Sequence, residues 1–213
     1  VKFLKEHKDE PFLLYLSHYA VHTPLQAKKD AVARYKKKIS GRPGPDGPAR
    51  RPEGPKATTS LVQDNAVYAA MVKSVDDSVG RVMEQVKALG LENRTVVFFM
   101  SDNGGLSTLL NDRGLSRHPP TSNVPLRAGK GWLYEGGIRE PMIVKWPGVV
   151  KAGSTCSEPV ISTDFYPTIL EMARLPFQPK QHVDGMSLAP LLKGKKKLPR
   201  PALFWHYPHH HGS

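Results

Sequence analysis

The sequence contains a single cysteine, Cys156, so no disulfide can form within the chain. A small disulfide-stapled scaffold is thereby excluded, although the cellular compartment is left open. Long hydrophobic runs are also missing, and none approaches the ~20 apolar residues of a membrane-spanning helix. No secretory leader is visible. The chain opens at Val1 rather than Met and soon reaches the apolar run Pro11-Phe12-Leu13-Leu14-Tyr15-Leu16. That resembles the interior of a domain, so an N-terminal part preceding Val1 is expected. Acidic residues are scarce: 19 Asp and Glu face 31 Lys and Arg, giving a net charge of +12 and a pI near 9.8. Such an excess favours an anionic partner, whether nucleic acid, acidic membrane or acidic polysaccharide. Charge by itself points first to nucleic acid, but zinc-finger spacing, an RNP motif and a clear helix-turn-helix are all lacking.

What is present is ordinary for a globular protein, with 39% hydrophobic and 23% charged residues. At 213 residues the chain is long enough for one sizeable core. The run at 11–17 suits a strand buried on both faces, as in a parallel sheet covered by helices. A basic stretch follows, with Lys28, Lys29, Arg34, Lys36, Lys37 and Lys38. Residues 41–56, dense in Pro, Gly and Arg, read as a flexible solvated loop. A helix is expected from Ser60, where Ser60 and Gln63 form a candidate capping box. Its apolar stripe runs through Tyr68, Val72, Val75, Val79, Val82, Val86 and Leu89, and Gly90 supplies a left-handed cap. Thr95–Met100 reads as a second buried strand. Helix, short loop and buried strand in that order are the grammar of an α/β fold.

Residues 101–140 are polar, glycine-rich and poorly periodic, as functional or disordered loops are. Pro141–Trp146 reads as a strand ended by Pro147-Gly148. Residues 164–174 read as a helix, provided Pro167 lies in its first turn. Leu203–Trp205 is a candidate last strand, and Lys193–Lys197 an exposed turn.

Three segments carry candidate chemistry. Ser101-Asp102-Asn103-Gly104-Gly105 follows the strand at 95–100, where ligands gather in open α/β sheets. Asp102 and Asn103 offer hard oxygen donors suited to Ca²⁺ or Mg²⁺, although the same residues make an ideal turn. In Gly129-Lys130-Gly131, a lysine flanked by glycines can present a compact charge to a tetrahedral anion. A solvated lysine on a surface loop is the competing reading. His22-Thr23-Pro24 supplies a histidine able to donate to an anion or protonate a leaving group. His18 competes with it.

Together these stretches resemble the sulfatase family of the alkaline phosphatase superfamily. The wording that carries the resemblance is Phe12–Leu16 leading to His22-Thr23-Pro24, then Val75-Asp76-Asp77-Ser78-Val79-Gly80 and Ser101–Gly105. Gly129-Lys130-Gly131 with Tyr134-Glu135-Gly136-Gly137 comes next. Trp146-Pro147-Gly148, Thr163-Asp164 and Asp184-Gly185 complete it. The resemblance identifies the C-terminal part of an arylsulfatase-like catalytic domain of bacterial type, truncated at its N-terminus. It implies an alkaline phosphatase-like mixed sheet flanked by helices across residues 1–213.

The resemblance also implies the chemistry. The family's nucleophile is a formylglycine made within a Cys/Ser-X-Pro-X-Arg signature, which this chain lacks. Cys156 lies in Thr155-Cys156-Ser157-Glu158-Pro159 and does not match, so it is expected to be a buried or semi-buried structural thiol. By resemblance, Asp102 and Asn103 are two ligands of a Ca²⁺ ion, with Mg²⁺ fitting less well. Lys130 and His22 act on the sulfate, and His22 helps protonate the departing oxygen. Arg127 and Arg139 are expected to position neighbouring loops, and no chemistry is assigned to them. The expected partner is a sulfated small molecule or sulfated polysaccharide, with neither nucleic acid nor membrane involved. The full-length protein is expected to be periplasmic or secreted. Alternatives are a phosphonate or phosphodiester hydrolase of the same superfamily, or a non-catalytic polyanion-binding pseudoenzyme. This chain alone is expected to be inactive. In the tail, Trp205-His206-Tyr207-Pro208-His209 resembles natural sequence of bacterial sulfatases, so the ending is read as native rather than as a tag; a zinc site on its three consecutive histidines is a weak alternative.

Overall fold

A computed structural model describes residues 1–111 and 118–208. In chain order the elements are α1 (Lys2–Glu6), α2 (Lys29–Ser40), β1 (Arg50–Pro52), β2 (Ala57–Ser60), α3 (Ala66–Ala88), β3 (Val97–Met100), β4 (Thr108–Leu110), α4 (Glu135–Ile138), β5 (Met142–Lys145), α5 (Phe165–Met172) and α6 (Ala189–Leu192). Two compact units result, each with apolar clusters of its own. The first holds residues 1–92, 103–140 and the segment from 208, and the second residues 93–102 and 141–207.

In the first unit, α3 is the longest element. It begins at Asn65, whose side chain accepts the Tyr68 N–H at 2.9 Å, and not at Ser60 as the capping-box pattern predicts. Ser60 instead ends β2, where its N–H donates to Ser107 O at 2.8 Å. Thr58 and Thr59 are β-branched and paired on both sides, so the ladder outcompetes the helix start. The other end of α3 matches its pattern. Gly90 has φ +68°, its N–H reaches Lys87 O at 2.9 Å, and the Leu91 N–H reaches Val86 O at 3.0 Å. This is a Schellman cap with its expected apolar contact, since Val86 and Leu91 bury together with Leu4. The predicted stripe is only partly covered, and Val72 is 47% exposed.

The sheet of this unit is antiparallel, in the order β1-β2-β4. Its edge strand, Arg50–Pro52, comes from the stretch read as part of the loop 41–56; residues 41–49 form neither helix nor strand. Thr59 and Thr108 face each other, with their hydroxyls 2.8 Å apart. The run 11–17, expected to be a buried strand, is neither: no described strand pairs with it, and Leu13 and Tyr15 are 69% and 88% exposed. An apolar run becomes a strand only where a ladder partner lies beside it, and these residues find none among the described strands.

In the second unit β3 pairs antiparallel with β5, Phe98 opposite Val144. An antiparallel pair is compatible with the mixed sheet expected, but the strand is not buried throughout, and Phe99 is 45% exposed. Phe98 packs edge-on against Phe165 of α5, with ring centroids 5.4 Å apart. Pro167 lies in the first turn of α5, directly after a 3₁₀ turn at Ser162–Asp164. Leu188, Leu191 and Leu198 form the apolar cluster of this unit.

Asp164 is the polar centre of the second unit and is fully buried. Arg200 donates to both its carboxylate oxygens, at 2.8 and 2.9 Å. The Met186 and Ile161 N–H groups donate to the same two oxygens, at 2.8 and 3.0 Å. Four donors on one carboxylate are what a buried charge requires. A β-carbon at Gly185 would run into Thr163 O, so Asp184-Gly185 marks a close backbone approach.

Two further expectations are corrected. Leu203–Trp205 forms no strand, and Phe204 is 85% exposed. Cys156 is exposed rather than buried, because its neighbours Gly153, Ser154, Thr155 and Ser157 offer no apolar surface to cover it. Lys193–Lys197 is an exposed turn, as expected. His209, His210 and His211 lie outside the described residues.

Candidate active site

β3 ends at Met100, and the chain then enters Ser101-Asp102-Asn103 with Asp102 exposed. Among the described residues the Asp102 carboxylate takes part in no hydrogen bond or ion pair. The boundary between the two units falls between Asp102 and Asn103. Asn103 is half-buried and opens a segment sewn tightly to the loop carrying Lys130.

That sewing is backbone to backbone. The Lys130 N–H donates to Gly105 O at 3.1 Å, and the Gly104 N–H donates to Gly137 O at 3.2 Å. The Gly136 N–H in turn donates to Arg127 O at 2.8 Å. Such contacts need glycine. A β-carbon at Gly104 would overlap Gly136 O, and one at Gly129 would overlap both Gly105 O and the Ser107 hydroxyl. Gly104, Gly129 and Gly136 are therefore packing residues first, letting the Asn103 segment and the Lys130 loop close on each other.

Asn123 locks this knot. Its Nδ2 lies 2.9 Å from Gly105 O, 2.9 Å from Gly136 O, 3.1 Å from Ala128 O and 3.1 Å from the Ser107 hydroxyl. One amide nitrogen thus reaches the segment after Asn103 and both limbs of the Lys130 loop. Beneath it, Ser107 donates to Ala128 O at 2.7 Å, and Ala128 and Trp132 bury against Ala57 of β2. From α3, the Tyr68 hydroxyl bonds Thr121, and burial pushes the phenol above its usual range, which keeps it protonated. Gln63 donates to Ser122 O at 3.0 Å.

Arg127 positions a loop, as expected. Its Nε donates to Glu53 Oε1 at 2.7 Å, and its guanidinium lies 3.7 Å from the Tyr134 ring centroid. Glu53 is buried beside the sheet, so this pair fastens the Lys130 loop to the segment between β1 and β2. Arg139 pairs with Glu135 one turn away.

His22 sits apart from this knot in its contacts. Thr23 O can only accept, so His22 Nδ1 carries the proton of their 2.7 Å bond and Nε2 is left for other partners. The Tyr19 hydroxyl donates to the same oxygen at 2.6 Å, and the rings of Tyr19 and His22 lie 5.3 Å apart. His18 is occupied: its Nε2 lies 2.9 Å from the Ser78 hydroxyl on α3. His18 therefore fixes this segment to α3 and leaves His22 as the exposed histidine.

The knot thus joins the segment after Asn103 to the Lys130 loop, whereas no described contact joins His22 to either. Comparisons with known proteins give the class of protein. The sulfatase family model matches residues 1–175, and the chain belongs to the sulfatase family. A sulfatase of Formosa agariphila is 36% identical over 94% of the chain, and human steryl-sulfatase is 30% identical over 97%. The chain spans about a third of the length of these relatives, 33% and 30% respectively. Among solved structures, Ps i-CgsB in complex with a neocarrahexaose is 36% identical, with a TM-score of 0.68 over 89% of the chain and 35% of its own. BT4656, solved with its substrate D-glucosamine-2-N,6-O-disulfate, is 27% identical, with a TM-score of 0.50 over 69% of the chain and 28% of its own. These neighbours share the alkaline phosphatase-like α/β fold, of which the small sheets described here are a part.

The sequence missed Asn123, and it marked Asp164 by its wording alone, without its partner Arg200. Asn123 precedes Val124-Pro125 in a stretch without periodicity, and a half-buried amide bridging distant backbones leaves no local signal.

Proposed function

We propose that the full-length protein is a sulfuric ester hydrolase acting on a sulfated small molecule or sulfated carbohydrate, with Lys130, His22, Asp102 and Asn103 in its active site. The observation carrying this reading is Gly105 O, which accepts from both Lys130 N–H and Asn123 Nδ2 and so ties the segment after Asn103 to the lysine loop. Family membership supplies the reaction, and the disulfated sugar bound by BT4656 supports the substrate class.

The donor types fit a hard divalent cation: Asp102 is exposed and carries a carboxylate, and Asn103, next in sequence, carries an amide oxygen. Among the described residues no group of three or more His, Cys, Asp or Glu could hold a metal, so the remaining ligands would come from the part of the relatives that this chain does not span. When bound, Ca²⁺ would supply Lewis-acid charge to a sulfate oxygen. A formylglycine would likewise lie outside this chain.

The chain's own residues bind and orient. Lys130 places an ammonium on a sulfate oxygen, held there by a backbone that cannot shift without breaking its bond to Gly105. His22, with Nδ1–H committed to Thr23 O, must be protonated at Nε2 to donate to the leaving oxygen. Sulfate release from an aryl sulfate by the full-length enzyme tests these roles. Replacing Lys130 by Ala should lower kcat/KM by about 10²–10³, the loss typical of one removed transition-state donor. A variant within twofold of the parent would remove Lys130 from the mechanism.

A further inference from the structure

We infer that the exposed face of α2 is a docking surface for a sulfated polysaccharide, separate from the residues that act on the sulfate. The inference rests on the sulfatase reading for its choice of partner. Between residues 28 and 42 the chain carries seven cations, Lys28, Lys29, Arg34, Lys36, Lys37, Lys38 and Arg42, against the single anion Asp30. This one segment supplies half of the net charge of +12.

The structure shows which of these charges are already used. α2 lays Val32, Tyr35 and Ile39 inward, half-buried, and no residue of the helix is fully buried. Arg34 is partly answered: it lies over the Tyr35 ring at 5.4 Å and feels Asp77 of α3. Asp76 and Asp77 are themselves engaged by Lys73 on α3. Lys28, Lys29, Lys36, Lys37, Lys38 and Arg42 are all exposed, and among the described residues none of them is ion-paired. The helix C-terminus favours cations in its last turn, which accounts for Lys37 and Lys38 in part. It does not account for Lys28, Lys29 or Arg42.

Covering by further protein is disfavoured, because desolvating six unpaired cations is costly unless anions arrive with the cover. The exposed apolar residues of the chain lack this property, since more protein could bury them without penalty. A partner for α2 must therefore bring its own negative charges, closely spaced along a solvated chain. A sulfated polysaccharide does so, and it is the polymer a sulfate-ester hydrolase would act on. Nucleic acid has the charge too, but nothing else in the chain favours it.

The test is binding of heparin, a densely sulfated polysaccharide, by the full-length protein and by a Lys36→Gln, Lys37→Gln, Lys38→Gln variant across a salt series. Turnover of a small aryl sulfate is measured in parallel. Heparin binding should weaken tenfold or more in the variant, and the slope of log K against log salt should become shallower. Small-substrate turnover should stay unchanged, since these lysines lie outside the site residues. Equal heparin affinity for both proteins would overturn the inference, as would tighter binding of duplex DNA than of heparin. Absence of aryl sulfate turnover in the parent protein would instead refute the catalytic reading, whatever α2 binds.

Discussion

Replacing Asn123 by Ala removes a side chain that touches the segment after Asn103 and both limbs of the Lys130 loop. The amide nitrogen has two hydrogens and four acceptors within 3.1 Å, so about two full hydrogen bonds are lost. At roughly 0.5–1.5 kcal/mol net for each bond, and more for acceptors left dry, the cost comes to about 2–4 kcal/mol. The loss is local, because Lys130 N–H shares Gly105 O with Asn123. Hydrogen exchange read at single amides separates the local effect from the global one. The Lys130 and Gly104 amides should lose protection far more than the Val86–Leu91 cap, which belongs to another cluster of the same unit. Equal protection at Lys130 in parent and variant would refute the view that Asn123 holds the loop closed.

Truncating Arg200 to Ala strands the buried Asp164 carboxylate with backbone donors alone, and denaturant unfolding should show a loss of about 3–5 kcal/mol. A loss below 1 kcal/mol would mean the carboxylate needs no guanidinium. Glu171 gives a pH-dependent prediction. A hydrogen bond from Ser187 holds its carboxyl below the usual range of about 4.5, with Lys193 adding to the effect. Its stabilisation is therefore complete above about pH 4.5 and is lost as pH falls through the lower folded value. A Glu171→Gln variant should flatten the stability curve below pH 4.5, and an unchanged acid limb would contradict the assignment.

The helix α3 was legible in its apolar stripe and in Gly90, because a left-handed cap leaves a local mark. Its start was not, since Ser60 and Gln63 satisfy a capping pattern while Thr58–Ser60 answer to strands on either side. The strands β3 and β5 were visible as short apolar runs, but their antiparallel pairing was not, because periodicity does not encode direction. Residues 11–17 misled for a related reason: apolar content declares a wish to be covered, and a strand also needs a ladder. Of the candidate site, Asp102, Asn103 and Lys130 stood out through their glycine-flanked wording. Those glycines turned out to be contact points between two loops as much as approaches to a ligand. Asn123 and the Asp164–Arg200 pair were invisible because their partners lie far away in sequence, 36 residues in the second case.

Relative turnover of matched aryl sulfate and aryl phosphonate esters by the full-length protein decides whether this chain contributes to a sulfate-ester site. Such a site predicts a higher kcat/KM for the sulfate ester, falling with Lys130→Ala. Faster turnover of the phosphonate ester, or of neither, would contradict it.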